Sequence, residues 1–181
     1  LPEGYSTTVA QMGAWRTAEY TIELLGLRET PEELLSIWNR MLRDEYLYRV
    51  PLKSMAKECV ARLKTQGVKL AIATALLPEL YEPVLKRTGL YPFFDAFLSS
   101  SEIKCEKSRP DIYLLAAERM GAAPERCVVF EDIVAGIQGA KAAGMFTVGV
   151  YDRWSQTDQP ALAAAADLYI KDFSEYLTWD L

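Results

Sequence analysis

The sequence predicts an α/β fold, a parallel sheet flanked by helices, with a small all-helical piece in front of it. Three observations predict this. From residue 51 onward, helical periodicity alternates with short apolar runs rich in β-branched residues; residues 1–50 carry helical periodicity alone; and Val50-Pro51-Leu52 separates the two textures. Helix and strand taking turns at this pace indicate βαβ units. Pro51 disfavours helix at the residue before it, so the break is the expected boundary between domains of residues 1–50 and 51–181.

In the helical piece, Val9, Met12, Trp15, Ala18, Ile22 and Leu25 fall three or four apart, which predicts one helix from Thr8 to Leu25 closed by Gly26. Trp15, Trp38, Tyr46, Met12 and Met41 fall within the helical patterns and are expected to pack in the core or between helices. The second helix announces its own start. Thr30-Pro31-Glu32-Glu33 offers an N-cap hydroxyl, a proline at the first helical position and a glutamate placed to complete a capping box.

Beyond Pro51 the expected order is a helix over Met55–Gln66, a strand over Val68–Thr74, a helix over Pro78–Thr88 stopped by Gly89, and a strand at Phe97–Ser99. A helix over Pro110–Met120 follows, stopped by Gly121, then a strand at Cys127–Phe130, a helix running to Ala143, and a strand at Phe146–Val150. The Ala-rich stretch Ala161–Ala166 reads most simply as helix.

Composition narrows the function. With 181 residues, half of them hydrophobic, the chain has enough apolar material for a substantial core. A formal charge of −5 offers no basic field, so nucleic acid and anionic membrane surfaces are poor partners. The absence of histidine excludes His-based triads and His-ligated zinc. Three cysteines at unrelated spacings give no disulfide framework, and a reducing cytoplasm is the expected compartment. Any anion the protein binds must be held locally. A monomer or weak homo-oligomer is expected.

The chemistry concentrates at strand ends. Cys127-Val128-Val129-Phe130 reads as a buried parallel strand that runs into Glu131-Asp132, and in open α/β sheets ligands bind beyond the carboxyl ends of strands. The alternative is that one of these acids caps the next helix. Thr74 ends an earlier strand, and the region Lys104–Lys107 follows another. A hydroxyl, a cation and two acids at one sheet edge suit phosphoryl transfer with Mg²⁺, which prefers oxygen ligands; the set lacks only a nucleophile.

Taken in order, Ile72-Ala73-Thr74-Ala75, then Lys107-Ser108-Arg109-Pro110-Asp111, then Phe130-Glu131-Asp132 with Gly136-Ile137 and Ala142-Ala143-Gly144-Met145, the chain resembles the haloacid dehalogenase (HAD) superfamily, in its phosphatase and β-phosphoglucomutase-like branch. The resemblance is close from about Val50 to Val150, and residues 1–50 resemble the family's helical cap in type only. It implies a Rossmann-like core. It also implies a Mg²⁺-dependent phosphohydrolase for a small phosphorylated metabolite, in which Thr74 and the Ala75 N–H hold the phosphoryl group and Lys107 neutralises phosphate and nucleophile. Asp132 would be the direct metal ligand, with Glu131 as a ligand or just behind one. Lys104 is the competing cation, but Lys107 has the family's Lys-x-x-Pro-Asp spacing.

The departures are specific. The family's Asp-x-Asp strand, which supplies the nucleophile and the general acid/base, has no counterpart in the 181 residues, and the resemblance places it upstream of Leu1. Ile133 stands where the family usually has Ser or Thr, and Arg109 where it has a small residue or proline. Two alternatives accompany the hydrolase: a phosphosugar mutase on the same core, and a non-catalytic binding or regulatory protein lacking the nucleophile. A response-regulator receiver fits poorly, because its acidic pair comes first in the chain and here the pair comes last.

Overall fold

The computed structural model describes residues 1–181 apart from 3, 10, 11, 13, 101, 102, 104–106 and 179–181, and apart from the side chains of 6 and 7. The chain divides into two compact units, Leu1–Arg49 and Val50–Leu181.

The first unit is helical: α1 (Tyr5–Val9), α2 (Ala14–Leu25) and α3 (Pro31–Tyr48). The single helix expected over Thr8–Leu25 is thus two, with a bend at Met12 between them. α3 starts as its sequence dictates. The Thr30 hydroxyl accepts from the Glu33 N–H at 3.3 Å, and the Glu33 carboxylate accepts from the Thr30 N–H at 2.9 Å, with Pro31 at the head of the helix. α2 and α3 pack together and bury Ala18, Thr21 and Leu34. Two expected core residues prove exposed, Trp15 at 48% and Met41 at 60%. Two paired helices bury only the face they share, and these side chains lie off it.

The second unit is α/β. Its elements in order are α4 (Ala56–Thr65), β1 (Ala71–Thr74), α5 (Pro78–Thr88), β2 (Ala96–Ser99), α6 (Asp111–Met120), β3 (Val128–Glu131), α7 (Val134–Ala142), β4 (Phe146–Val150), α8 (Gln159–Ala165), β5 (Leu168–Ile170) and α9 (Phe173–Tyr176). β5 is a strand the sequence did not announce. All strand pairs are parallel: β1 with β2, β3 with β4, and β4 with β5. Gly89 and Gly121 take left-handed conformations (φ 75° and 61°) that end α5 and α6, as expected of glycine after a helix.

Side chains alternate across the strands and so build a layer on each face. On one face Ala71, Ala73, Leu98 and Val129 pack with Ile112, Tyr113, Ala116 and Ala117 of α6 and with Ala140 of α7. On the other, Ile72 and Phe97 join Tyr81 and Leu85 of α5, where the Tyr81, Phe97 and Tyr91 rings stack. Phe130, Val148, Val150 and Ile170 pack with Phe173 of α9. Burying a side chain such as Leu98 or Ile112 contributes about 1.5–3 kcal/mol, which fixes α6 and α7 on the sheet.

Among the described residues the strands form two sheets, β1–β2 and β3–β4–β5, so β1 and β3 each pair on one side only. Their burial agrees with open edges. All four residues of β1 are half-buried, whereas three of the four in β2 are buried. β3 keeps one buried residue, Glu131, beside four in β4.

Candidate active site

Glu131 closes β3 opposite Gly149 of β4 and is 8% exposed. Its carboxylate accepts a hydrogen bond from the Lys107 ammonium and, at 3.2 Å, from the Asp132 N–H. The Lys107 side chain is itself only 15% exposed. Burial pushes the Glu131 carboxyl above its ordinary range, and the Lys107 charge works against that rise. Neither group tolerates loss of the other, since breaking a buried pair strands an uncompensated charge at a cost of about 3–5 kcal/mol.

Helix α7 is shaped to admit this pair. A methyl on Gly136 would fall 2.6 Å from Glu131 Oε2 and overlap its Cγ and Cδ, so the glycine makes the room in which that side chain lies. A methyl on Gly139 would meet the Lys107 carbonyl oxygen, the Arg109 carbonyl oxygen at 2.8 Å and the Tyr113 ring at 2.8 Å. One helix face of two glycines three apart therefore seats both the acid and the loop that delivers the lysine. Gly139 had no part in the sequence reading, although a second glycine inside a nine-residue helix is a detectable signal.

Asp132 follows the strand and keeps 36% of its side chain exposed. Neither acid caps α7: its N-cap is Ile133, with no side-chain cap hydrogen bond. Asp132 Oδ2 instead lies 3.2 Å from Lys53 Nζ, which also donates to Asp152 Oδ2 at 2.5 Å and to the Tyr151 carbonyl at 3.4 Å. Burial opposes the Lys53 charge, but its hydrogen bonds to Asp152 and Asp132 raise its pKa above the ordinary lysine value. Asp152 is held below the usual carboxylate range, burial being outweighed by Lys53 and the Trp154 N–H. No local pattern announced Lys53, which sits in the segment between the helical unit and α4.

Thr74 ends β1 in the other sheet, in register with Ser99. Its hydroxyl accepts from the Leu76 N–H at 3.1 Å, and its carbonyl from the Ser100 N–H at 2.8 Å. Ala75 follows in the bend that leads to α5. The structure thus brings Lys107, Glu131, Asp132 and Lys53 together, and places Thr74 and Ala75 at the carboxyl end of a separate parallel strand. Arg109 pairs with Asp111 at 3.0 Å on the surface, and Lys104 and Cys105 lie outside the described residues. Among the described residues no three His, Cys, Asp or Glu side chains converge, so these acids supply only part of an octahedral oxygen shell. Asp132, half-buried and adjoining buried Glu131, suits one position of it.

Residues 4–144 match the haloacid dehalogenase-like hydrolase family, a stretch that takes in the helical unit as well as β1–β3 and α7. The chain belongs to that family. Within it, this HAD chain is 37% identical over 139 residues to fructose-1-phosphate phosphatase YqaB of Escherichia coli, covering 75% of this chain and 71% of that protein. Hexitol phosphatase B of the same organism is 31% identical over 156 residues, covering 80% and 69%. A Thermotoga maritima structure assigned as a beta-phosphoglucomutase superposes with a TM-score of 0.81 at 25% identity, covering 94% of this chain and 79% of that one. The protein is an enzyme of the HAD phosphatase and phosphomutase branch. Among the described residues no helix is long and apolar enough to cross a membrane.

Proposed function

We propose that the protein is a Mg²⁺-dependent phosphohydrolase acting on a small phosphorylated sugar or sugar alcohol through an aspartyl-phosphate. The observation that carries this reading is the pair of half-buried Lys107 with buried Glu131 beside half-buried Asp132 at the end of a parallel strand. Lys107 places a positive charge where phosphate oxygens and an attacking carboxylate would meet, and Glu131 holds that ammonium in place. Thr74 would offer its hydroxyl, and Ala75 its N–H, to a phosphoryl oxygen. Asp132 would hold Mg²⁺, with Glu131 behind it; the ion supplies charge neutralisation at the phosphoryl group. The substrate class follows the two phosphatase relatives.

The nucleophile is an aspartate on a strand outside these 181 residues. The one-sided pairing of β1 and β3 supports a parallel strand between them, whose carboxyl end would lie between Thr74 and the Glu131-Asp132 end. In the same reading residues 1–50 form the cap and residues 51–181 the core, in keeping with the division of the chain after Arg49.

A phosphomutase is the second reading, favoured by the likeness to the Thermotoga structure. The test is phosphate release by the full-length protein over a panel of hexose and hexitol phosphates with Mg²⁺. Release that falls about a hundredfold or more in Asp132→Asn is expected, since removing a metal ligand costs several kcal/mol of transition-state stabilisation. Release untouched by the substitution would refute the metal assignment. Interconversion of hexose 1- and 6-phosphates with little free phosphate would decide for the mutase.

A further inference from the structure

Neither the sequence motifs nor the family resemblance accounts for Lys53, and its placement is specific. It spans the ends of two neighbouring parallel strands, touching Asp132 after β3 at 3.2 Å and Asp152 after β4 at 2.5 Å. Its third contact is the Tyr151 carbonyl at 3.4 Å. Two carboxylate oxygens and a carbonyl oxygen around one ammonium are oxygen donors of the kind a hard cation takes. Asp132 therefore already has a cationic partner, supplied by the chain itself.

We propose that Lys53 is an internal counter-ion that competes with the divalent cation for Asp132 and thereby sets how tightly the metal is held. The proposal rests on the reading of Asp132 as a metal ligand. It follows from elementary electrostatics. A unit positive charge within hydrogen-bonding distance of a ligand carboxylate neutralises much of the potential that attracts the ion, and at a few ångström it also repels a doubly charged ion directly. Asp152 moderates this competition by holding Lys53 through the shorter of its two carboxylate contacts. With Lys53 tied to Asp152 after β4, Asp132 keeps 36% of its side chain accessible to an ion. Lys53 is a positioning and charge-tuning residue, not one that touches the reacting atoms.

The test is direct binding of Mn²⁺ and Mg²⁺ to the full-length protein by calorimetry, without substrate, for wild type, Lys53→Met, Lys53→Arg and Asp132→Asn. Removing one charge at about 5 Å from a divalent ion in a water-accessible site is worth about a tenfold change in affinity. The expected results are about tenfold tighter binding in Lys53→Met, wild-type affinity in Lys53→Arg, and loss of binding in Asp132→Asn. Lys53 is one-third exposed, so the methionine variant is expected to fold, and far-UV circular dichroism checks that it does. Binding that is unchanged or weaker in Lys53→Met, while Asp132→Asn still abolishes it, overturns the counter-ion proposal and leaves the metal assignment standing. Binding indifferent to Asp132→Asn, or absent in wild type, overturns both.

Discussion

Helices α3 and α7 are held in opposite ways. α3 carries its instructions within itself: a reciprocal capping box at Thr30 and Glu33, Pro31 in the first turn, and eighteen residues without an internal glycine. α7 has nine residues, two of them glycine, and an N-cap isoleucine with no side-chain cap hydrogen bond. Its two glycines disfavour helix by about 1 kcal/mol each relative to alanine. What holds α7 is tertiary: Ile137 and Ala140 are wholly buried, and Gly136 and Gly139 receive Glu131 and the Lys107 loop. A helix that follows the local rules here is scaffold, and a helix that breaks them is shaped around the site.

Substitution at Gly139 puts the contrast under the heaviest load. On propensity alone Gly139→Ala stabilises the helix by about 1 kcal/mol; against the fixed Lys107 and Arg109 carbonyls it destabilises the protein by about 3 kcal/mol. The urea midpoint gives the sign, and an upward shift breaks the contrast. Gly136→Ala comes next. Its obstacle is the Glu131 side chain, which can rotate away only by parting from Lys107, so a loss of about 2 kcal/mol is expected together with a fall in phosphate release. Stability lost with activity intact would show that the pair is structural only. Thr30→Ala should have the smallest effect, about 1 kcal/mol from the lost cap, visible in thermal unfolding and absent from the kinetics.

The same contrast explains what was legible in the sequence. The start of α3, the glycine stops after α5 and α6, and the alternation of helix and strand are local signals, and the folded chain follows each of them. The order Thr74, Lys107, Glu131-Asp132 was legible because the motifs are short and their order along the chain is informative. Pairings made at long range were not. Lys53 meets Asp152 across 99 positions, and no window of sequence contains both. β5 is three residues behind an Ala-rich helix, too short to show a period. Trp15 and Met41 sit on apolar positions of helical patterns, yet a pattern does not say how many neighbours a helix will have.

Met55, at the head of α4, is the one non-glycine with positive φ among the described residues (φ 59°, ψ 11°), and it lies two positions after Lys53. An L-residue in that conformation carries about 1–2 kcal/mol of strain, because its Cβ crowds the following carbonyl. A glycine would adopt this turn without that strain, so the residue that opens α4 is fixed by the fold around it and not by its own preference.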